Sequence, residues 1–89
     1  MIVFVPSPLR CRCGGEAELQ VNASDVQGAL EVLAKCQSSL YGCVCDETGA
    51  VRRHINLFVN RDHIRDRNGL DTPLLENDTL FIMTAVSGG

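Results

Sequence analysis

The 89-residue sequence lacks the features of a membrane protein and of a nucleic-acid-binding protein. No run of apolar residues approaches the roughly 18 that a membrane-spanning helix requires. The net charge is −3, from 11 acidic and 8 basic residues, and the basic residues are scattered without an accompanying platform of aromatic residues. We therefore expect that neither a membrane nor a nucleic acid is a partner of this protein.

An export signal is also lacking. Residues 1–5 are apolar, but no basic segment precedes them, and Pro6 and Pro8 end the apolar run. This favours a first β-strand over a secretory signal. The count of five cysteines is odd, which argues against a simple disulfide framework. We expect a cytoplasmic protein whose cysteines are reduced thiols.

The residues that are present suffice for one small folded domain. Hydrophobic residues make up 45% of the chain, which is too many for a disordered segment. No internal repeat, low-complexity segment or linker divides the sequence. We expect a single domain over residues 1–86, followed by a flexible tail at residues 87–89.

Patterns of apolar residues predict the strands. Residues 16–21 and 53–59 direct apolar side chains alternately to one face, as expected for strands that are buried on one side. The apolar residues 2–5 and 79–86 predict a parallel pair of strands at the centre of the sheet. A further short strand is expected around residues 63–65.

One main helix is predicted between the second and third strands. Ser24 and Gln27 have the spacing of a capping box, so the helix is expected to begin near Asp25 and to end between residues 36 and 39. Four apolar residues at helical spacing would face the sheet: Val26, Leu30, Leu33 and Ala34. Residues 6–15 and 41–49 are expected to be irregular. This order predicts an α+β roll, with one helix across a mixed sheet of four to five strands.

The sequence ends in Gly88-Gly89, and this ending suggests chemistry at the chain terminus. Two residues without a Cβ can adopt nearly any backbone conformation and can enter a slot too narrow for side chains. A partner enzyme that activates a terminal carboxylate needs such access to the acyl carbon. The alternative is that the two glycines are ordinary chain-end disorder.

Several motifs resemble those of a known family over nearly the whole chain, most strongly in its C-terminal part. The motifs are Phe58-Val-Asn60, Asp71-Thr-Pro-Leu74, Asn77-Asp78-Thr79 and Ala85-Val-Ser-Gly-Gly89. They resemble the ubiquitin-like sulfur carriers, which include the small subunit of molybdopterin synthase, the thiamine-pathway carrier and the carrier that serves cysteine synthesis. The segment Pro6-Ser-Pro-Leu-Arg10 is most similar to the last of these. The resemblance implies the β-grasp fold of ubiquitin.

The resemblance also implies a function for the diglycine. An enzyme of the ubiquitin-activating type would use MgATP to convert the Gly89 carboxylate into an acyl-adenylate, with Gly88 providing clearance. Sulfide delivered by a sulfurtransferase or cysteine desulfurase would displace AMP and leave a thiocarboxylate. An acceptor enzyme would use this sulfur in the synthesis of cysteine, molybdopterin, thiamine or a related metabolite, and a metalloprotease would process the C-terminus. The chain itself would bind no cofactor and would not be an enzyme.

A ubiquitin-like protein modifier is the alternative function, because the same activated Gly89 can form an isopeptide bond with a lysine of a target protein. The sequence does not distinguish a sulfur carrier from a protein modifier, and it does not identify the sulfur acceptor. Three features depart from the family pattern: Arg61 stands where a turn glycine is usual, Ser87 stands where alanine is usual, and the family pattern contains no paired cysteines.

Phe58, Phe81 and Met83 are the candidate partner-binding residues. If Leu80 and Ile82 join the core, alternation places Phe81 and Met83 on the open face of the sheet, beside Phe58 of the neighbouring strand. An exposed apolar cluster on a small protein indicates an interface. The alternative is that loops cover these side chains.

The pairs Cys11/Cys13 and Cys43/Cys45 allow more than one interpretation. Four thiolates would suit zinc or a cluster, but structural zinc sites usually have about two to four residues between paired cysteines. Reduced, partly buried thiols are therefore favoured over a metal site or a redox pair, and no metal is expected. Cys36 is expected in the core at the helix end. His54 and His63 lack partners at ligand spacing, so surface or hydrogen-bonded histidines are expected.

Overall fold

The computed structural model describes residues 1–84 of the chain. Five strands form one mixed sheet in the order β2-β1-β5-β3-β4. Their bounds are β1 (Ile2–Phe4), β2 (Glu18–Gln20), β3 (Ile55–Val59), β4 (Asp62–His63) and β5 (Thr79–Thr84). Two α-helices, α1 (Val26–Cys36) and α2 (Ser38–Val44), contribute buried side chains to the same core as the sheet. The predicted α+β class is confirmed.

The parallel pair of β1 and β5 occupies the centre of the sheet, as predicted. Val3 lies opposite Leu80 in this pair, and the other strand pairs are antiparallel. Residues 85 and 86, which the sequence assigned to the last strand, lie outside the described residues, as does the expected tail at residues 87–89.

Side chains of the three central strands alternate between the core and the opposite face of the sheet. The fully buried ones include Val3 on β1, Leu57 and Val59 on β3, and Leu80 and Ile82 on β5. Because the side-chain period of a strand is two, the residues between them point away from α1 and α2. This second face, called the open face below, therefore carries its own set of side chains.

The helix α1 starts where it was predicted, but a different residue caps it. Asp25 has an extended backbone, and its Oδ1 accepts a hydrogen bond from the Gly28 N–H at 2.7 Å. The predicted capping box of Ser24 and Gln27 is therefore wrong. A Cβ at position 28 would lie 3.1 Å from Asp25 Oδ1, so Gly28 leaves room for the capping carboxylate.

The buried face of α1 also differs slightly from the prediction. Its buried residues are Val26, Ala29, Leu30 and Leu33. Ala34, which was expected to face the sheet, is only half-buried.

Two segments that were expected to be irregular are helical. Residues 38–44 form α2, in which Leu40 and Val44 are buried one helical turn apart. Ser7–Cys13 forms a 3₁₀ helix that ends at Gly14 in the left-handed conformation. Both segments are too short for their apolar residues to show a clear period, and tertiary packing on the core stabilises them.

The turn between β3 and β4 is hydrogen-bonded to the start of β5. Asn60 has a φ of 57°; its Oδ1 accepts from the Thr79 N–H at 3.1 Å and its Nδ2 donates to Asp78 Oδ1 at 3.0 Å. Hydrogen bonds from the Leu75 N–H, and then from Asn60, lower the pKa of Asp78. Arg61 has no positive φ, so Asn60 supplies the left-handed residue of this turn and a glycine at position 61 is not needed.

We predict that Asn60→Ala lowers the free energy of unfolding by about 2 kcal/mol, because it removes two hydrogen bonds and places alanine in a left-handed conformation. Asn60→Gly keeps that conformation accessible and should cost only about 1 kcal/mol. Urea denaturation of the native protein and both variants measures the two losses. Equal losses would show that the left-handed backbone does not contribute.

Candidate functional site

A row of paired residues crosses four strands on the open face of the sheet. Phe4 on β1 lies opposite Phe81 on β5, Phe81 lies opposite Phe58 on β3, and Phe58 lies opposite His63 on β4. We call these four residues the aromatic row. The row forms because the register of each strand pair places two aromatic side chains directly opposite each other, both on the open face.

The rings of the aromatic row contact one another and a neighbouring cation. The Phe4 and Phe81 centroids are 5.5 Å apart, and the Phe58 and His63 rings meet edge to face at 5.0 Å. The Arg10 guanidinium lies 5.6 Å from the Phe4 centroid, and its Nε donates to the Val5 carbonyl at 3.0 Å. Such contacts hold the rings in fixed orientations, so the row offers a partner a preformed surface.

Met83 extends this surface along β5. It lies opposite Asn56 on β3 and is 36% exposed. Phe58, Phe81 and Met83, together with Asn60, line a shallow groove of about 230 Å³. The structure therefore brings the three candidate partner-binding residues together on one face. Their role in docking stays a prediction.

His63 provides the polar end of the aromatic row. Its Nδ1 accepts a hydrogen bond from the Arg65 N–H at 3.0 Å, so in the neutral ring Nε2 carries the proton and donates to Asn56 Oδ1 at 3.1 Å. His63 is thus a hydrogen-bonded histidine, one of the two outcomes expected for it, whereas His54 is exposed.

Phe4 and Arg10 belong to the candidate site, but the sequence patterns did not lead us to predict them as site residues. The alternation that was applied to β5 holds for β1 as well: Val3 and Val5 are buried, so Phe4 between them faces outward. This parity could have identified Phe4. Arg10 had no comparable signal, because its position depends on the 3₁₀ helix that follows β1.

Gly88 and Gly89, the predicted site of activation, lie outside the described residues. The last described residue of β5 is Thr84, which pairs with Ile55 at the start of β3.

The chain matches a protein-family model over residues 3–89, and that model is described as the ThiS family. This protein belongs to the ThiS family. The match confirms the ubiquitin-like sulfur-carrier family that the motifs indicated. The ThiS-family chain is also 27% identical over 89 residues to sulfur carrier protein CysO of Mycobacterium tuberculosis (strain ATCC 25618 / H37Rv), an alignment that covers 98% of this chain and 96% of the relative.

Solved structures share the fold of this ThiS-family chain. A chain of the Amycolatopsis orientalis BexX/CysO complex has a TM-score of 0.88 and 28% identity, covering 99% of this chain and 98% of that one. Small archaeal modifier protein 1 of Methanosarcina acetivorans has a TM-score of 0.84 and 29% identity, with coverages of 99% and 94%. These neighbours confirm the β-grasp fold.

The prediction of a carrier rather than an enzyme is confirmed by the curated relatives, which are named as sulfur carrier proteins. Within residues 1–84 of this ThiS-family chain, no helix has both the length and the apolar character that crossing a membrane requires.

The cysteines of this ThiS-family protein are free thiols in different surroundings. Cys13 and Cys45 are buried and Cys43 is half-buried, whereas Cys11 and Cys36 are exposed. The prediction that Cys36 lies in the core is therefore wrong, because α1 ends with this side chain turned away from its buried face. Within residues 1–84, no three His, Cys, Asp or Glu side chains form a group that could hold a metal ion.

We predict that Cys11 and Cys36 react with iodoacetamide at least about tenfold faster than Cys45 near pH 8. Cys45 is 1% exposed, and burial raises the pKa of its thiol, so little of the reactive thiolate is present. Peptide mass spectrometry after timed alkylation measures the three rates. Similar rates would mean that Cys45 is accessible in the folded protein.

Proposed function

We propose that this ThiS-family protein carries sulfur as a thiocarboxylate on Gly89. The observation that supports the proposal most directly is the extent of the family match, which runs from residue 3 to residue 89 and so includes the diglycine. The curated CysO relatives support the same carrier chemistry by name.

The chemistry begins with a carboxylate, which is a poor electrophile. Attack of the Gly89 carboxylate on the α-phosphate of MgATP, in the active site of a ubiquitin-activating-type enzyme, would release pyrophosphate and form an acyl-adenylate. A sulfur nucleophile would then attack the acyl carbon and displace AMP. Neither Gly88 nor Gly89 carries a Cβ, so both faces of the carbonyl stay open to these reagents.

Partner proteins supply every catalytic group in this scheme. The activating enzyme binds MgATP, a sulfurtransferase or cysteine desulfurase provides the sulfur, and an acceptor enzyme takes it from the thiocarboxylate. A metalloprotease that processes the C-terminus would be a further partner. The carrier contributes the reactive terminus and a docking surface, and we place it in the cytoplasm, where ATP is available.

The open face is the docking surface that we propose for the activating enzyme. The groove formed by Phe58, Phe81 and Met83 has apolar walls, and the polar Asn60 lies at its edge. Apolar anchors surrounded by a polar rim are typical of protein interfaces. The rings are held in place by their neighbours, so little side-chain entropy is lost when a partner binds.

A protein modifier is the second candidate function. The likeness to small archaeal modifier protein 1, at 29% identity over 99% of this chain, supports it. In this case a lysine amine of a target protein would attack the activated Gly89 and form an isopeptide bond. Replacement of one carboxylate oxygen by sulfur adds about 16 Da to the isolated carrier, whereas conjugation adds the mass of a whole target protein.

We predict that Gly89→Val abolishes thiocarboxylate formation and leaves the melting temperature nearly unchanged. A Cβ next to the acyl carbon crowds the approach of ATP and of sulfide. Within residues 1–84 the hydrophobic core is built from side chains between Met1 and Ile82. Intact-mass analysis after incubation with the cognate activating enzyme, ATP and a sulfur donor gives the answer. If the variant gains sulfur at the native rate, Gly89 is not the reactive residue.

We predict that Met83→Asp weakens binding of the activating enzyme by about 2 kcal/mol, the scale of an interface hot spot, because it places a charge in an apolar groove. Leu75→Asp is the matched control, since Leu75 is 70% exposed and does not line the groove. Calorimetric titration of both variants measures the affinities. Native affinity of Met83→Asp, or an equal loss in Leu75→Asp, would contradict docking at this groove.

A further inference from the structure

The basic residues that seem scattered in the sequence are concentrated in one part of the structure. Five of the eight lie between residues 52 and 67, together with only two acidic residues. This segment therefore has a net charge of +3, although the whole chain has a net charge of −3. It contains β3, β4 and the turn that joins them, so the positive charge collects at one edge of the sheet.

Three of these arginines line a cleft of about 470 Å³ beside β3. Its apolar lining includes Ile55 and Leu57, which reach it from the core side of β3, and Leu70. The charged groups at the cleft are the following: Arg52, Arg53 and Arg65. No carboxylate occurs among the described residues that line it. We call this site the arginine cleft.

None of the three arginines forms an ion pair with a carboxylate in the described part of the chain. Arg53 and Arg65 are exposed, and within residues 1–84 the ion pair that forms is the one between Arg67 and Asp62, at 3.8 Å. Arg52 is held differently, because its Nε donates to the Gly42 carbonyl at 2.9 Å. Arg53 and Arg65 therefore remain able to bind carboxylates from outside the protein.

The arginine cleft and the aromatic row share one residue, at the edge of the sheet formed by β4. His63 lines the cleft and also forms the end of the row, where its ring contacts Phe58. The cleft also lies near the last described residue of β5, since its lining residue Ile55 pairs with Thr84. A partner that covers the open face and extends around the edge formed by β4 would meet the cleft.

We propose that the arginine cleft binds an acidic segment of the activating enzyme, with one apolar side chain in the cleft and carboxylates on Arg53 and Arg65. This inference rests on the proposed function, because it assigns the cleft to the same partner that docks on the open face. The apolar lining favours a peptide segment over a free anion, since an anion alone would leave the half-buried Leu70 without an apolar contact from the ligand. The unpaired arginines accelerate association by steering the acidic segment to this edge.

Charge reversal at the cleft tests the proposal in binding kinetics. In low salt, the double variant Arg53→Glu/Arg65→Glu should lower the association rate constant with the activating enzyme at least about tenfold, and the difference should shrink in high salt. Arg53→Lys/Arg65→Lys should retain most of the rate, because it keeps the charges. Arg12→Glu, at an exposed position on the 3₁₀ helix, is the control with one reversed charge. Native association of the double glutamate variant, or an equal loss in Arg12→Glu, would overturn the proposal.

A second measurement separates this proposal from the carrier function. If the native protein gains the sulfur mass and the double variant associates at the native rate, the cleft proposal is wrong and the carrier function stands. If the native protein gains no sulfur, NMR titration with a short synthetic peptide, a leucine flanked by glutamates, tests the cleft alone. Shifts at Ala50 and Leu70 that a glutamine-flanked peptide does not produce would support the cleft. The same shifts with inorganic phosphate, or none with the peptide, would overturn it.

Discussion

The central position of β5 is the constraint on which the core, the open face and the position of the arginine cleft depend. This strand is hydrogen-bonded to β1 on one side and to β3 on the other, and its side chains alternate between the core and the open face. Leu80 and Ile82 close the core, so Phe81 and Met83 must point outward. A shift of the register by one residue would exchange the two sets and would lose both the core and the face.

The strand β5 lies close to both of the surfaces for which we propose a binding role. The aromatic row crosses β5 at Phe81, and Ile55, which pairs with Thr84 of β5, lines the arginine cleft. Under the carrier function that we propose, the activating enzyme would bind this face and act on Gly89, so recognition and reaction would use different residues of the chain.

An exposed row of aromatic rings is a hazard for a small domain, since it favours association with other proteins. Here the rings are only half-buried, but each has a neighbour: Phe4 contacts Phe81 and Arg10, and Phe58 contacts His63. The edge strands beside them are short, with three residues in β2 and two in β4, which limits pairing with a further strand. The buried cysteines add to the core and take no part in the proposed chemistry.

Local patterns in the sequence determined the strands that alternate, the start of α1 near Asp25, the parallel central pair and the faces of Phe58, Phe81 and Met83. These features depend on residue spacing within a single element, so the strand period of two residues and the helix period of 3.6 residues suffice to predict them. Tertiary structure alone decided α2, whose two turns are stabilised by packing, and the placement of Arg10 on Phe4. It also decided the arginine cleft. Arginines that are more than ten residues apart in the chain line one cleft only because β3 and β4 pair and the segment after β4 packs on the core. Such contacts join different elements, and no local pattern in the sequence specifies the order of those elements in the sheet.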